Sequence, residues 1–213
     1  MNDLLSFALV AFSAIFFIVD PFAVVPVFLA MTERDDEEKR RIMARRACTI
    51  CAAVLLFFTF GGSVLFKVLG VTLGSFRIAG GVLLLLTALD MLQSRTSSTR
   101  TSPGEIAEGA QKEDIAVVPL AVPLLSGPGA IATVMMLTAE AKRMFEIPLI
   151  VASILLTSLL SYWTLRGATK LQRVLGQSGQ AILARVMGLL LAAIAVQFIV
   201  SGIRESFPEI GVR

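Results

Sequence analysis

Asp20-Pro21-Phe22-Ala23 and Ser126-Gly127-Pro128-Gly129 are the two places in this sequence where residue type and spacing point to chemistry. Proline suits the first position of a helix, where its missing N–H would be unpaired anyway, and aspartate is a strong cap just before it. Asp20-Pro21 therefore reads as the start of a half-helix running from Phe22 toward Met31. Gly127-Pro128 reads as the start of another, running from Gly129 toward Ala139. A helix start carries unpaired N–H groups and the positive end of the peptide dipoles, a combination that binds carboxylates. Ser126, Gly127 and Gly129, with little or no side chain in the way, form a candidate anion cradle. A small zwitterion fits such a place, its ammonium held by Asp20, by carbonyls freed where the preceding half-helices end, or by both. The candidate binding set is Asp20, Pro21, Phe22, Ala23, Ser126, Gly127, Pro128, Gly129 and Gln197. Gln197 enters because an amide deep in the last apolar run either bonds a ligand or ties helices together.

The elements that must hold these residues are dictated by composition. Of 213 residues, 56% are apolar and 16% charged, against about 25% charged in soluble domains; the mean hydropathy is +0.82. A water-soluble globule is excluded. Runs of about 20 apolar residues cross the hydrocarbon of a bilayer as helices. Six are present: Leu4 to Met31, Ala47 to Phe66, Leu73 to Leu92, Ile115 to Ala139, Ile147 to Leu165 and Val186 to Ile203. Barrel strands would be shorter and of alternating polarity. The first run reads as a retained helix rather than a signal peptide, since Met1-Asn2-Asp3 brings no basic residue. Asp20 lies about 4 Å along the axis from the midpoint of the first run, and Gly127 is the midpoint of the fourth. Each proline motif thus falls near mid-membrane, where a broken helix is tolerated only beside protein or a water-lined cavity. Pro21 and Pro26 are expected to interrupt the first helix, and Pro119, Pro123 and Pro128 the fourth. Asp20 is the only ionisable residue well inside the runs, since Arg77 and Asp90 sit near ends.

Thirteen of the nineteen basic residues fall in the odd-numbered connections, which the positive-inside rule assigns to the cytoplasm, with both termini outside. The net charge of +3 is explained by this sorting, not by nucleic acid. Thr32 to Arg46 is expected to form a charged cytoplasmic helix capped by Thr32, with pairs Asp35 to Lys39, Asp36 to Arg40 and Glu37 to Arg41. A weak internal repeat aligns Asp20-Pro21-Phe22-Ala23 with Gly127-Pro128-Gly129-Ala130 at an offset of 107. It also aligns Arg77-Ile78-Ala79-Gly80 with Arg185-Val186-Met187-Gly188 at 108. Three spans per half force opposite topologies. The expected fold is an all-α polytopic bundle of six transmembrane helices in two inverted three-helix repeats, with broken first and fourth helices. Its parts are a first repeat (1–94), a Ser/Thr/Gly-rich cytoplasmic linker (95–114) and a second repeat (115–213). Gly80, Gly81 and Gly188 are expected to let helices approach closely.

Several classes of chemistry have no machinery here. There is no histidine, no nucleotide-binding P-loop and no Ser-His or metal-ligand cluster, so no catalytic residue, metal or cofactor is expected. Cys48-Thr49-Ile50-Cys51 lies inside an apolar helix and reads as packing. A passive channel and a membrane protein that only binds other proteins remain as rival readings, and the oligomeric state stays open.

The stretch Asp20 to Phe28, the stretch Pro123 to Ile131, and Arg185-Val186-Met187-Gly188 leading to Gln197 resemble the MarC family of bacterial inner-membrane proteins, which includes the SnatA small neutral amino acid transporters. The resemblance covers essentially the whole chain. It implies a multi-pass inner-membrane protein that moves glycine, alanine and similar amino acids. Transport would be coupled to an ion gradient, H+ or Na+, with lipid and the amino acid as partners and the site between the broken first and fourth helices.

Overall fold

The computed structural model describes residues 2–93, 116–141 and 145–207. Every regular element among them is helical. The first apolar run gives α1 (Asn2–Val19) and α2 (Pro21–Met31), and the next two give α3 (Glu37–Leu69) and α4 (Leu73–Leu92). The fourth gives α5 (Ala116–Leu125) and α6 (Pro128–Glu140), and the last two give α7 (Glu146–Arg166) and α8 (Ala168–Ser206). Five stretches are long and apolar enough to cross a bilayer, or six if α5 and α6, which meet at a bend of 58°, form one span. The expected linker, 95–114, lies outside the described residues.

Proline chemistry explains α5. Val118 and Val122 each precede a proline and are extended, because the proline ring disfavours the helical region for the residue before it. Pro26 behaves differently from the expectation: α2 runs through it without interruption. Its ring removes a single N–H from one turn and lies on an exposed face.

The charged segment is also corrected. Thr32 does not start a helix but closes α2, its hydroxyl donating to the Phe28 carbonyl at 2.7 Å. The cap of α3 is Asp36, which accepts from the Lys39 N–H at 2.7 Å. Asp35 pairs with Lys39 at 2.6 Å as expected. Arg40 turns back to the carbonyls of Thr32 (2.9 Å) and Glu33 (3.1 Å), and Arg41 reaches the Tyr162 hydroxyl at 3.4 Å. α3 then continues as one helix into its apolar part. Likewise, the basic stretch from Arg166 to Arg185 is not a loop. α8 begins directly after Gly167 and bends at Gly176, whose φ is 60°, because solvated lysines and arginines are good helix formers.

The most extensive packing is α4 against α8. The pairs run antiparallel: Gly74 faces Gly202, Gly81 faces Ala195 and Ile199, and Gly188 faces Ala88 and Met91. A Cβ on Gly81 would stand 2.8 Å from the Ala195 carbonyl oxygen, and one on Gly188 3.0 Å from that of Ala88. Without a hydrophobic drive between helices in lipid, such close backbone approach holds them together. α3 packs on α7, α1 and α2 also on α7, α5 and α6 on α3, α2 on α8 and α6 on α4. Phe28, Leu55, Leu120, Ile150 and Leu191 fill the centre, while Phe57, Phe60, Leu155, Leu159 and Leu189 face outward, where the lipid stands.

Candidate functional site

Asp20 joins α1 to α2 in a left-handed conformation (φ 46°, ψ 68°), which aspartate tolerates better than most side chains. Its N–H donates to the Phe16 carbonyl at 2.9 Å, finishing α1. Its Oδ1 accepts from the Ala23 N–H at 3.3 Å, opening α2. Asp20 is buried, as is Pro21, and the Phe22 ring meets that of Phe16 edge-on at 6.1 Å. One buried residue thus serves both half-helices, its backbone N–H closing α1 and its carboxyl group capping α2.

The corresponding turn before α6 has no such group. Ser126, buried, donates from both its N–H (2.8 Å) and its hydroxyl (2.7 Å) to the Ala121 carbonyl. Gly127 occupies the capping position with no side chain to offer, and Pro128 has no N–H. The first closed hydrogen bond of α6 runs from the Ile131 N–H to the Gly127 carbonyl at 3.1 Å. One turn on, the Thr133 hydroxyl donates to the Gly129 carbonyl at 2.8 Å. A Cβ on Gly129 would collide with Leu84 Cδ2 and stand 3.6 Å from Ile18 Cγ2.

A pocket opens at this turn. It is lined by Gly127, Pro128, Gly129 and Ala130 of the α6 start, by Leu83, Leu84 and Thr87 of α4, by Ile18 of α1 and by Leu124 of α5, and its volume is about 20 Å³, room for about one water. Of the expected set, it brings together Gly127, Pro128 and Gly129. Ser126 lies next in sequence to the lining, while Asp20, Pro21, Phe22 and Ala23 do not line it.

Gln197 does not line this pocket. It is exposed, and its amide donates to the Ser201 hydroxyl one turn along α8 at 3.2 Å. The buried stripe of α8 carries Leu191 and Ala195, and two residues further the helix has turned by about 200°. Leu84, Leu83 and Ile18 are not legible as lining residues in the sequence, because an apolar residue in an apolar run carries no local mark. Thr87, the hydroxyl that follows Leu83-Leu84-Leu85-Leu86, was the available signal.

Arg77, at the start of α4, forms ion pairs with Glu140 at the end of α6 and with Glu205 near the end of α8, the latter at 2.7 Å. Cys48 and Cys51 are buried, free thiols of α3.

Helices on every side, an apolar outer surface and polar groups gathered inside define a polytopic integral membrane protein. From residue 5 to residue 207 the chain matches the MarC family integral membrane proteins. It belongs to that family. It is 41% identical over 200 residues to the UPF0056 membrane protein MJ1677 of Methanocaldococcus jannaschii, covering 94% of this chain and 97% of that one. It is 34% identical over 197 residues to the UPF0056 membrane protein YhcE of Escherichia coli, covering 92% of each. To YvbG of Bacillus subtilis it is 30% identical over 204 residues, with coverage of 95% and 97%. No solved structure matches the chain.

Proposed function

We propose that this protein is a SnatA-type secondary transporter that carries small neutral amino acids, glycine and alanine among them, across the inner membrane by alternating access, coupled to H+ or Na+. The observation that carries the reading is the start of α6. At the middle of the fourth span a helix begins with no side-chain cap, on glycine, against a small buried pocket. In this reading the substrate carboxylate supplies the missing cap, accepting from the N–H groups of Gly129 and Ala130, while Pro128 fixes the turn and Ser126 pins α5 to it. Asp20 to Ala23, the other helix start, begins two residues after Ile18, which lines the pocket from α1. A pocket of about 20 Å³ is smaller than an amino acid, so in this reading the turn opens further to admit one.

Inverted repeats support alternating access, and the packing favours them. The offset of 107 set by the two proline motifs, one less than that of the Arg77 and Arg185 match, carries Gly81 to Gly188 and Ala88 to Ala195. The contact of Gly81 with Ala195 therefore exchanges with that of Gly188 with Ala88. Exchanging the halves also carries α1 on α7 into α5 on α3, α2 on α7 into α6 on α3, and α2 on α8 into α6 on α4. Both termini outside follows from the placement of the basic residues.

Uptake of labelled glycine and alanine into liposomes holding the purified protein, under imposed proton or sodium gradients, tests the proposal. Concentrative uptake that unlabelled substrate competes away supports it and identifies the ion. Dissipative flux indifferent to either gradient favours a channel, and no uptake by folded, inserted protein refutes transport of these solutes.

A further inference from the structure

We propose that Leu84 sets the upper size of the amino acid side chain that the pocket accepts, an inference that rests on the transport reading above. Leu84 is buried on α4 and lines the pocket directly opposite the α6 start. Its Cδ2 fills the space in which a Cβ of Gly129 would stand, and its Cγ is 3.3 Å from that position. With a carboxylate on the first N–H groups of α6, the substrate α-carbon enters the adjoining pocket and its side chain points at the wall formed by Leu84 and Ile18. No polar atom of either side chain faces it, so the wall discriminates by volume.

This wall cannot retreat by moving its helix. One turn before Leu84, Gly81 is in backbone contact with α8, and a Cβ on Gly80 would stand 2.9 Å from that of Ala132 on α6. One turn after it, the Ala88 carbonyl lies against Gly188. α4 is clamped above and below Leu84, so only the isobutyl group itself can yield. A hydrogen or a methyl is accommodated by a rotamer change, whereas a branched side chain needs volume that Leu84 occupies.

The test measures uptake of glycine, alanine and valine by the full-length protein in liposomes for the wild type and for Leu84→Met, Leu84→Val and Leu84→Ala. Leu84→Ala is expected to raise the valine-to-glycine uptake ratio roughly ten-fold or more, Leu84→Val to raise it part of the way, and the volume-conserving Leu84→Met to leave it unchanged. A ratio that stays constant across the series overturns the inference, including the case in which all three rates fall together, since that is what a purely structural leucine gives. If Leu84→Ala does not insert, the ratio for Leu84→Val decides by the same criterion. A wild type that moves glycine and alanine while the ratio stays fixed removes only the role of Leu84; a wild type that moves neither removes the transport reading and this inference with it.

Discussion

The two helix starts at mid-span, Asp20-Pro21 and Gly127-Pro128, solve one backbone problem in two ways. In both, proline opens the second half-helix and a non-helical residue precedes it. At the first, Asp20 brings its own carboxylate to the N–H of Ala23 and the next position is filled by the Phe22 ring. At the second, the equivalent positions are Gly127 and Gly129, where a Cβ would meet the Pro123 carbonyl oxygen or the Leu84 side chain, and a small pocket lies alongside. One start is capped by its own side chain and the other is not. In the proposed transporter this difference assigns structure to the first start and binding to the second.

The largest effect expected from breaking this difference is at Gly129. Gly129→Leu drives a side chain into Leu84 and is expected to lower glycine uptake roughly hundred-fold at normal membrane insertion, whereas Phe22→Leu at the equivalent position costs far less. Uptake that survives Gly129→Leu places the substrate elsewhere. Next, Gly81→Val and Gly188→Val each force α4 from α8 and are expected to destabilise by about 1–3 kcal/mol, read as thermal unfolding in detergent. Similar losses support interchangeable halves, and a large loss in only one argues against them.

Smaller still is Asp20. Asp20→Ala removes the α2 cap and is expected to cost about 1 kcal/mol, while Asp20→Asn keeps both the cap and the left-handed turn and stays within a few tenths of that energy scale. The same asparagine variant is expected to retain the wild-type pH dependence of uptake; a shifted profile would make Asp20 a proton site. Last, Gln197→Ala is expected to leave uptake unchanged and stability within about 0.5 kcal/mol, because Gln197 is exposed, bonds Ser201 and does not line the pocket.

What the sequence disclosed and what it concealed divide along physical lines. Span positions, the cap at Asp20 and the close approach at Gly81 and Gly188 were legible, because bilayer thickness, missing N–H groups and absent side chains leave marks in single residues. The charged helix before the second apolar run was legible as well, though not its start at Glu37; that α8 begins at Ala168 was not, since charge marks solvent and not a helix end. Thr32 was assigned to the wrong helix because a threonine can close one turn as readily as open the next. Gln197 was chosen for its depth, which the sequence gives well, while its direction around the helix depends on which stripe the neighbours cover. Leu84 needed the third dimension: its meaning comes from Gly129, forty-five residues away in the chain.

Arg77 gives the pocket a connection to the surrounding electrolyte. A single guanidinium, itself mostly covered, is shared by Glu140 and Glu205, whose carboxylates are half in solvent. The first turn of α6 lines the pocket and its last residue ends in this triad, so the helix is held at one end by packing and at the other by ions. Electrostatic attraction between such groups weakens as the Debye length shrinks with added salt. Added salt on that face is therefore expected to loosen the last turn of α6, at the far end of the helix whose first turn lines the pocket.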